Sequence, residues 1–292
     1  MTRIVQSLAE ISASYDALFC DLWGCLHNGV APFPEAVAAL QAFRAKGGKV
    51  VLLTNAPRPS KYVIATLDRM GVPKDAYDLV VSSGDAAQDA MFAGAVGSKV
   101  WQLGPEKDDG FFTEVPPEWQ GQSSIERVPF EEAEGIVCTG PFDELNEVPE
   151  DYRPKFLLAK MRGLPMLCAN PDIVVDLGEQ RIYCAGALAA LYEEMGGTAL
   201  YFGKPHPPIY DLARRKLAAV GLPEDAGILA IGDGINTDVM GAAGEGIDAL
   251  FVTGGLAVDQ FGPDRRNPSP ELLTAWLAAR QQDPTYTIST LR

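Results

Sequence analysis

The sequence is poor in cysteine, and its five cysteines (Cys20, Cys25, Cys138, Cys168 and Cys184) are odd in number and scattered, with no Cys-x-x-Cys pair. That pattern argues against a disulfide scaffold and a zinc site, and predicts reduced, mostly buried thiols. No apolar run is long enough to span a bilayer. The opening residues Met1-Thr2-Arg3-Ile4-Val5 lack a signal-peptide layout, so a cytoplasmic location is expected. Positive charge is also short: 24 Lys and Arg stand against 39 Asp and Glu, a net charge of −15. No basic patch relieves it, which argues against nucleic acid and membrane surfaces as partners. The acidic run from Glu106 to Asp151 contains two basic residues, Lys107 and Arg127, and reads as a solvated face. On such a chain an anionic substrate would need a metal ion and local cations to enter. Internal repeats and low-complexity segments are absent.

What is present is a full complement of core residues. At 292 residues and 47% apolar, the chain is long enough for two modest domains or one large one. Apolar spacing suits a short helix over 5–12, a strand over 17–21 and a helix over 34–46 with Pro34 at its start and Gly47-Gly48 as its stop. A strand over 49–54, a helix over 60–70, a strand over 79–82 and a helix over 85–93 follow. Alternation of this kind predicts a parallel sheet with helices on its faces. The pattern loosens in the middle, which reads as an inserted α/β domain. The expected organisation is a core over 1–82, a smaller α/β domain over 83–184 and the second part of the core over 185–292. Near the end, Ser269 and Pro270 mark the start of a last helix to about 279, and the polar tail from Gln281 is expected to be partly disordered.

Four stretches carry the chemistry. Leu18-Phe19-Cys20-Asp21 is an apolar run ending in a carboxylate, with Gly24 turning the chain just beyond. Val51-Leu52-Leu53-Thr54-Asn55 ends in a hydroxyl, Gly203-Lys204-Pro205 sets a lysine in a turn, and Ile231-Gly232-Asp233-Gly234-Ile235-Asn236-Thr237-Asp238 supplies two carboxylates. Carboxyl ends of parallel strands are where ligands bind. Taken singly, Asp21 reads as a turn cap, Thr54-Asn55 as a helix N-cap and Lys204 as an exposed turn lysine.

Taken together and in this order, the four stretches resemble the four motifs of the haloacid dehalogenase superfamily, from about 16 to 255. The string Phe202-Gly203-Lys204-Pro205-His206-Pro207-Pro208-Ile209-Tyr210 is similar to the third motif of one subgroup: NagD-like sugar-phosphate phosphatases, 4-nitrophenyl phosphatases and pyridoxal phosphatases. The resemblance implies a doubly wound parallel sheet (a Rossmannoid core) with an inserted cap. It implies a magnesium-dependent phosphatase that acts on a small phosphorylated metabolite through an aspartyl phosphate. Asp21 would be the nucleophile and a metal ligand. The backbone carbonyl of Trp23 and the carboxylate of Asp233 would complete the magnesium ligands, with Asp238 supporting them through water or at one remove. Thr54, Asn55 and Lys204 would hold the phosphate. Asn170-Pro171-Asp172 resembles a cap string that closes over substrate, and reads equally as a plain Asn-Pro turn. Cap-to-cap homodimers belong to the same subgroup.

One position departs from the family pattern. Its phosphatases place a second aspartate two residues past the nucleophile, where it protonates the leaving group and activates water; here that residue is Trp23. General acid–base help is worth about 10²–10⁴ in rate. Three readings stay open: His27 as a surrogate acid, a leaving group that needs no acid, or a protein that binds a phosphorylated ligand with little turnover. Transfer to an acceptor other than water also fits slow hydrolysis. Dehalogenases of the superfamily lack the second aspartate too, but they dispense with magnesium, whereas the acidic fourth motif is kept here.

Overall fold

The computed structural model describes residues 2–122, 124–177 and 180–292. In chain order its strands are β1 (Arg3–Ile4), β2 (Ala17–Cys20), β3 (Lys49–Thr54), β4 (Leu79–Ser82), β5 (Lys99–Leu103), β6 (Glu126–Arg127), β7 (Gly135–Cys138), β8 (Pro165–Cys168), β9 (Val174–Leu177), β10 (Gln180–Tyr183), β11 (Thr198–Tyr201), β12 (Ile228–Gly232), β13 (Asp248–Val252) and β14 (Tyr286–Ile288). The α-helices are α1 (Pro34–Ala45), α2 (Ser60–Met70), α3 (Ser83–Phe92), α4 (Gly110–Thr113), α5 (Arg153–Met161), α6 (Ala185–Glu194), α7 (Pro207–Ala219), α8 (Met240–Glu245) and α9 (Pro270–Ala279). Two compact units share the chain: Met1–Thr54, Ile64–Val81 and Lys204–Arg292 form the first, Asn55–Val63 and Ser82–Gly203 the second. No helix among the described residues is long and apolar enough to cross a membrane.

The first unit is built on a seven-stranded sheet of order β1-β14-β13-β12-β2-β3-β4. Its pairings from β1 through β3 are parallel. The strands are continuous apolar runs because both faces are covered: Leu18, Cys20, Val50, Val51, Leu52, Leu250 and Phe251 are fully buried. From β2 the chain winds outward one way through β3 and β4 and the other way through β12 and β13. This is a doubly wound α/β sheet, with its switch point between β2 and β12. Helix α1 buries Ala36, Val37, Leu40 and Phe43, a stripe at helical spacing, and stops where Gly47 takes φ +98°.

The second unit has its own parallel sheet, β11-β8-β7-β5-β6, and an antiparallel hairpin of β9 and β10. Its core gathers Ile136, Cys138, Phe156, Met166, Leu188 and Tyr192, and the Tyr192 hydroxyl donates to the Leu164 carbonyl at 2.7 Å. All five cysteines are free and buried.

Three expectations need correction. The second unit runs to Gly203, past the boundary expected at 184, because β11 pairs with β8 and α6 packs in the core of that sheet. The tail beyond Gln281 is ordered: β14 lies between β13 and β1, with Thr287, Ile288, Ser289 and Leu291 buried. Its tyrosine, threonine and isoleucine are good strand formers once a partner edge exists. The region expected as one helix over 5–12 forms two 3₁₀ turns, Leu8–Glu10 and Ser12–Ser14.

Candidate active site

Parallel pairing aligns the carboxyl ends of three strands of the first unit. Cys20 pairs with Leu52 on β3 and with Ile231 on β12, so Asp21, Thr54 and Asp233 follow at one edge of the sheet. The Asp21 amide donates to the Ile231 carbonyl at 2.8 Å, which fixes the carboxylate at the switch point.

The centre of the site is an ion cluster. Lys204 Nζ lies 2.5 Å from Asp21 Oδ1 and 2.7 Å from Asp238 Oδ1, and the lysine is 3% exposed. Burial works against the Lys204 charge, but Asp21 and then Asp238 outweigh it and hold the ammonium well above its ordinary range. Asp238 sits on the π-turn Ile235–Val239, where its Oδ2 accepts from the Gly234 amide at 3.1 Å and the Thr237 hydroxyl at 3.3 Å. Asp233 is anchored by the Leu256 amide, 2.9 Å from its Oδ2.

Glycines make room for these carboxylates. A Cβ on Gly24 or Gly255 would lie 2.0 Å from Asp233 Oδ2, and one on Gly232 would lie 2.0 Å from Asp238 Cγ. Gly24 also takes φ +71°, which a side chain disfavours.

The charges do not balance. Asp21, Asp233 and Asp238 present three carboxylates to the one ammonium of Lys204. Burial, with Asp238 adding, pushes Asp233 up to about 7. Burial also pushes Asp21 well up; Lys204 opposes the shift, and Asp238 and Asp233 add to it. A buried excess of negative charge calls for a cation, and carboxylate oxygens suit a hard one. Ligand atoms of Asp21, Asp233 and Cys25 lie within 4.8 Å of one another. The oxygens of Asp21 and Asp233 therefore fit a hard divalent ion such as magnesium, while Asp238 is held to Lys204. Sequence reasoning missed Cys25. Its signal is its place on the turn that leaves Asp21, but a thiol there, pushed well up by burial, is a poor ligand for a hard ion.

Trp23 is the exposed side chain of the turn, 48% accessible. Its ring meets the His27 ring edge-on, with centroids 5.6 Å apart. His27 is buried, and its Nδ1 accepts the Gly29 amide at 3.0 Å. Burial pushes His27 down to about 4, so it is neutral near neutrality and ill-suited to replace a missing acid.

Thr54 is buried at the end of β3. Asn55, the first residue of the second unit, has its side chain engaged there: its Nδ2 donates to Asp172 Oδ1 at 2.8 Å. Asn170 Oδ1 in turn accepts from the Asp172 amide at 3.0 Å. The structure thus joins Asn55, Asn170 and Asp172 in one polar cluster of the second unit, and Asp21, Lys204, Asp233 and Asp238 in another of the first. Ser83, also absent from the sequence reading, lies beside Asn55: a Cβ on Gly203 would meet both Ser83 Oγ and Asn55 Oδ1 at 2.6 Å.

Comparison with known proteins agrees with this architecture. Residues 18–115 match the family of haloacid dehalogenase-like hydrolases, and 201–291 match a second, HAD-hydrolase-like family. A crystal structure of a haloacid dehalogenase-like hydrolase from Brucella suis 1330 is 38% identical, with 99% of this chain and 100% of that one covered and a TM-score of 0.82. The chain belongs to the haloacid dehalogenase-like hydrolases. A curated relative, D-glycerol 3-phosphate phosphatase of Mycobacterium tuberculosis, is 27% identical over 255 residues, 85% of this chain; the chain spans 66% of that relative's length. The crystal structure of glycerol phosphate phosphatase from Mycobacterium tuberculosis in complex with magnesium shares 24% identity and a TM-score of 0.68, over 95% of this chain and 75% of that one, a likeness of fold.

Proposed function

We propose that the protein is a magnesium-dependent phosphomonoesterase that works through a phosphorylated Asp21. The observation that carries this reading is Lys204, buried between Asp21 and Asp238 at the switch point of the sheet, with Asp233 leaving the cluster short of positive charge. Phosphoryl transfer asks for an aligned nucleophile and charge stabilisation, and little else.

In this reading Asp21 attacks phosphorus while Lys204 holds the carboxylate in place and faces the phosphoryl oxygens as a point charge. Asp21, Asp233 and the Trp23 carbonyl hold magnesium, and Asp238 steadies Lys204. Bound there, the ion supplies the positive charge that keeps the carboxylates ionised and neutralises the phosphoryl oxygens. The Thr54 hydroxyl and the Asn55 backbone amide take the remaining phosphate oxygens, because the Asn55 side chain is committed to Asp172. Asn170 and Asp172 contribute to the choice of a small phosphorylated metabolite.

Phosphate release from a panel of phosphomonoesters, with and without magnesium, tests the reading. Release should require the metal and disappear in Asp21→Asn. A rate unaffected by that substitution rules out the mechanism. No release, with tight binding of one ester by calorimetry, would instead mark a phospholigand-binding protein; that alternative rests on Trp23.

A further inference from the structure

The turn that carries the chain away from Asp21 buries nearly everything it has. Leu22, Cys25, Leu26 and His27 are at most 4% exposed, and Gly24 has no side chain. From Leu22 to His27, Trp23 is the side chain that remains exposed, with Asn28 and Val30 exposed beyond it, and it is firmly seated. Gly29, at φ +85°, lies so close beneath the indole that a Cβ there would meet its Cη2 at 2.3 Å. Short β-bridges tie residue 23 to 27 and residue 27 to 32, and the Gly29 amide is fastened to His27 Nδ1. An indole clamped on one side and open on the other is a rigid apolar platform.

The neighbouring polar groups of the first unit are occupied. Lys204 is shared by Asp21 and Asp238, Asp233 takes the Leu256 amide, and Asp238 takes the Gly234 amide. An alkyl phosphate whose ester bond breaks leaves a strongly basic oxygen, which needs a proton as it departs. The turn offers it an indole, which does not transfer protons.

Building on the phosphomonoesterase reading, we infer that the preferred substrates are phosphate esters of acidic hydroxyl groups, aryl or enol phosphates, whose planar leaving group rests on Trp23 and departs as an anion. The Asp21 carboxylate forms a bond to phosphorus as the ester P–O bond breaks. The electron pair stays on the leaving oxygen, which later takes a proton from solvent if it needs one. Water then attacks phosphorus, the bond to Asp21 breaks with its pair returning to the carboxylate, and the surplus proton of water passes to the phosphate product or to solvent.

The test is kcat/KM on the full chain with magnesium, across 4-nitrophenyl, 4-chlorophenyl and phenyl phosphates and the alkyl esters glycerol 3-phosphate and ethyl phosphate. This ratio reports the step in which the ester bond breaks. It should fall steadily as the leaving group becomes more basic, with alkyl esters slower than phenyl phosphate by about 10²–10⁴, the usual worth of a general acid. Trp23→Asp should narrow that gap. Trp23→Leu should keep the steep dependence on leaving-group basicity among the aryl esters and raise their KM more than that of the alkyl ones. A flat dependence, together with release that still needs Asp21, overturns this inference and leaves the phosphomonoesterase reading intact. Failure to release phosphate from any ester, or release that survives Asp21→Asn, overturns both.

Discussion

A single added methyl group is enough to disturb the charges around Lys204. Gly232 has ordinary strand-end backbone, yet a Cβ there would lie 2.0 Å from Asp238 Cγ and 2.2 Å from its Cβ. Asp238 cannot simply swing aside, since one oxygen holds Lys204 and the other takes the Gly234 amide. In Gly232→Ala the lysine should lose its alignment with Asp21, and displacements near 1 Å cost about 10² in rate. Steady-state phosphate release on a variant with a checked melting temperature measures this; an unchanged kcat would mean that Asp238 does not position Lys204. The four charged residues of this cluster were legible in the sequence because each ends a strand or opens a turn in a recognisable string. Cys25 carried only the weak signal of its place on the turn that leaves Asp21, and Ser83 carried none, since nothing marks its hydroxyl as close to Asn55 until the chain has folded. The Asn55 side chain was equally hidden: its partner Asp172 lies 117 residues along the chain.

Between elements, Asp78 does comparable work away from the site. It precedes β4 and accepts two hydrogen bonds from Arg44 of α1, at 2.7 and 2.8 Å, and a third from the Val50 amide of β3 at 2.9 Å. Burial works against its charge, but the Arg44 hydrogen bonds and then the Val50 amide outweigh it and hold the carboxyl below its ordinary value. A depressed folded-state pKa contributes stability that is present above the unfolded pKa and is lost as pH falls through the folded one. Asp78→Asn should therefore lower stability at pH 7 by about 1–2 kcal/mol, the range for hydrogen bonds to a charged group reduced by partial solvent screening. Below the carboxylate range the difference should shrink. Denaturant titrations of both proteins at pH 7 and in acid decide it, and a gap that widens in acid contradicts the assignment. The strands around this hub could be read from sequence, since each is a continuous apolar run between glycine or polar breaks. The strand Thr198–Tyr201 is harder, because a short strand does not announce which sheet it joins. Only its pairing with β8 assigns it to the second unit.

For the whole chain, the two ends are parts of one sheet edge. β14 pairs with β13 through Leu250–Val252 and with β1 through Arg3 and Ile4, so removing it also strips β1 of its partner. The polar residues Gln281, Gln282 and Asp283 concealed this, because a three-residue strand has little pattern of its own and gains its order from the edge it meets. Ile288 and Leu291 are 1% and 2% exposed, and burying such side chains is worth about 1.5–3 kcal/mol each. Deletion of residues 285–292 should therefore lower the stability of the first unit by several kcal/mol. The loss should be local in origin, since the second unit has a sheet and an apolar core of its own. Amide hydrogen exchange can separate the two. Protection should fall first in β13, whose outer edge is uncovered, and spread to β12 and β2, while β7 and β8 keep theirs. If β7 and β8 lose protection in step with β13, the two sheets unfold as one cooperative unit and the separate cores do not confer separate stability.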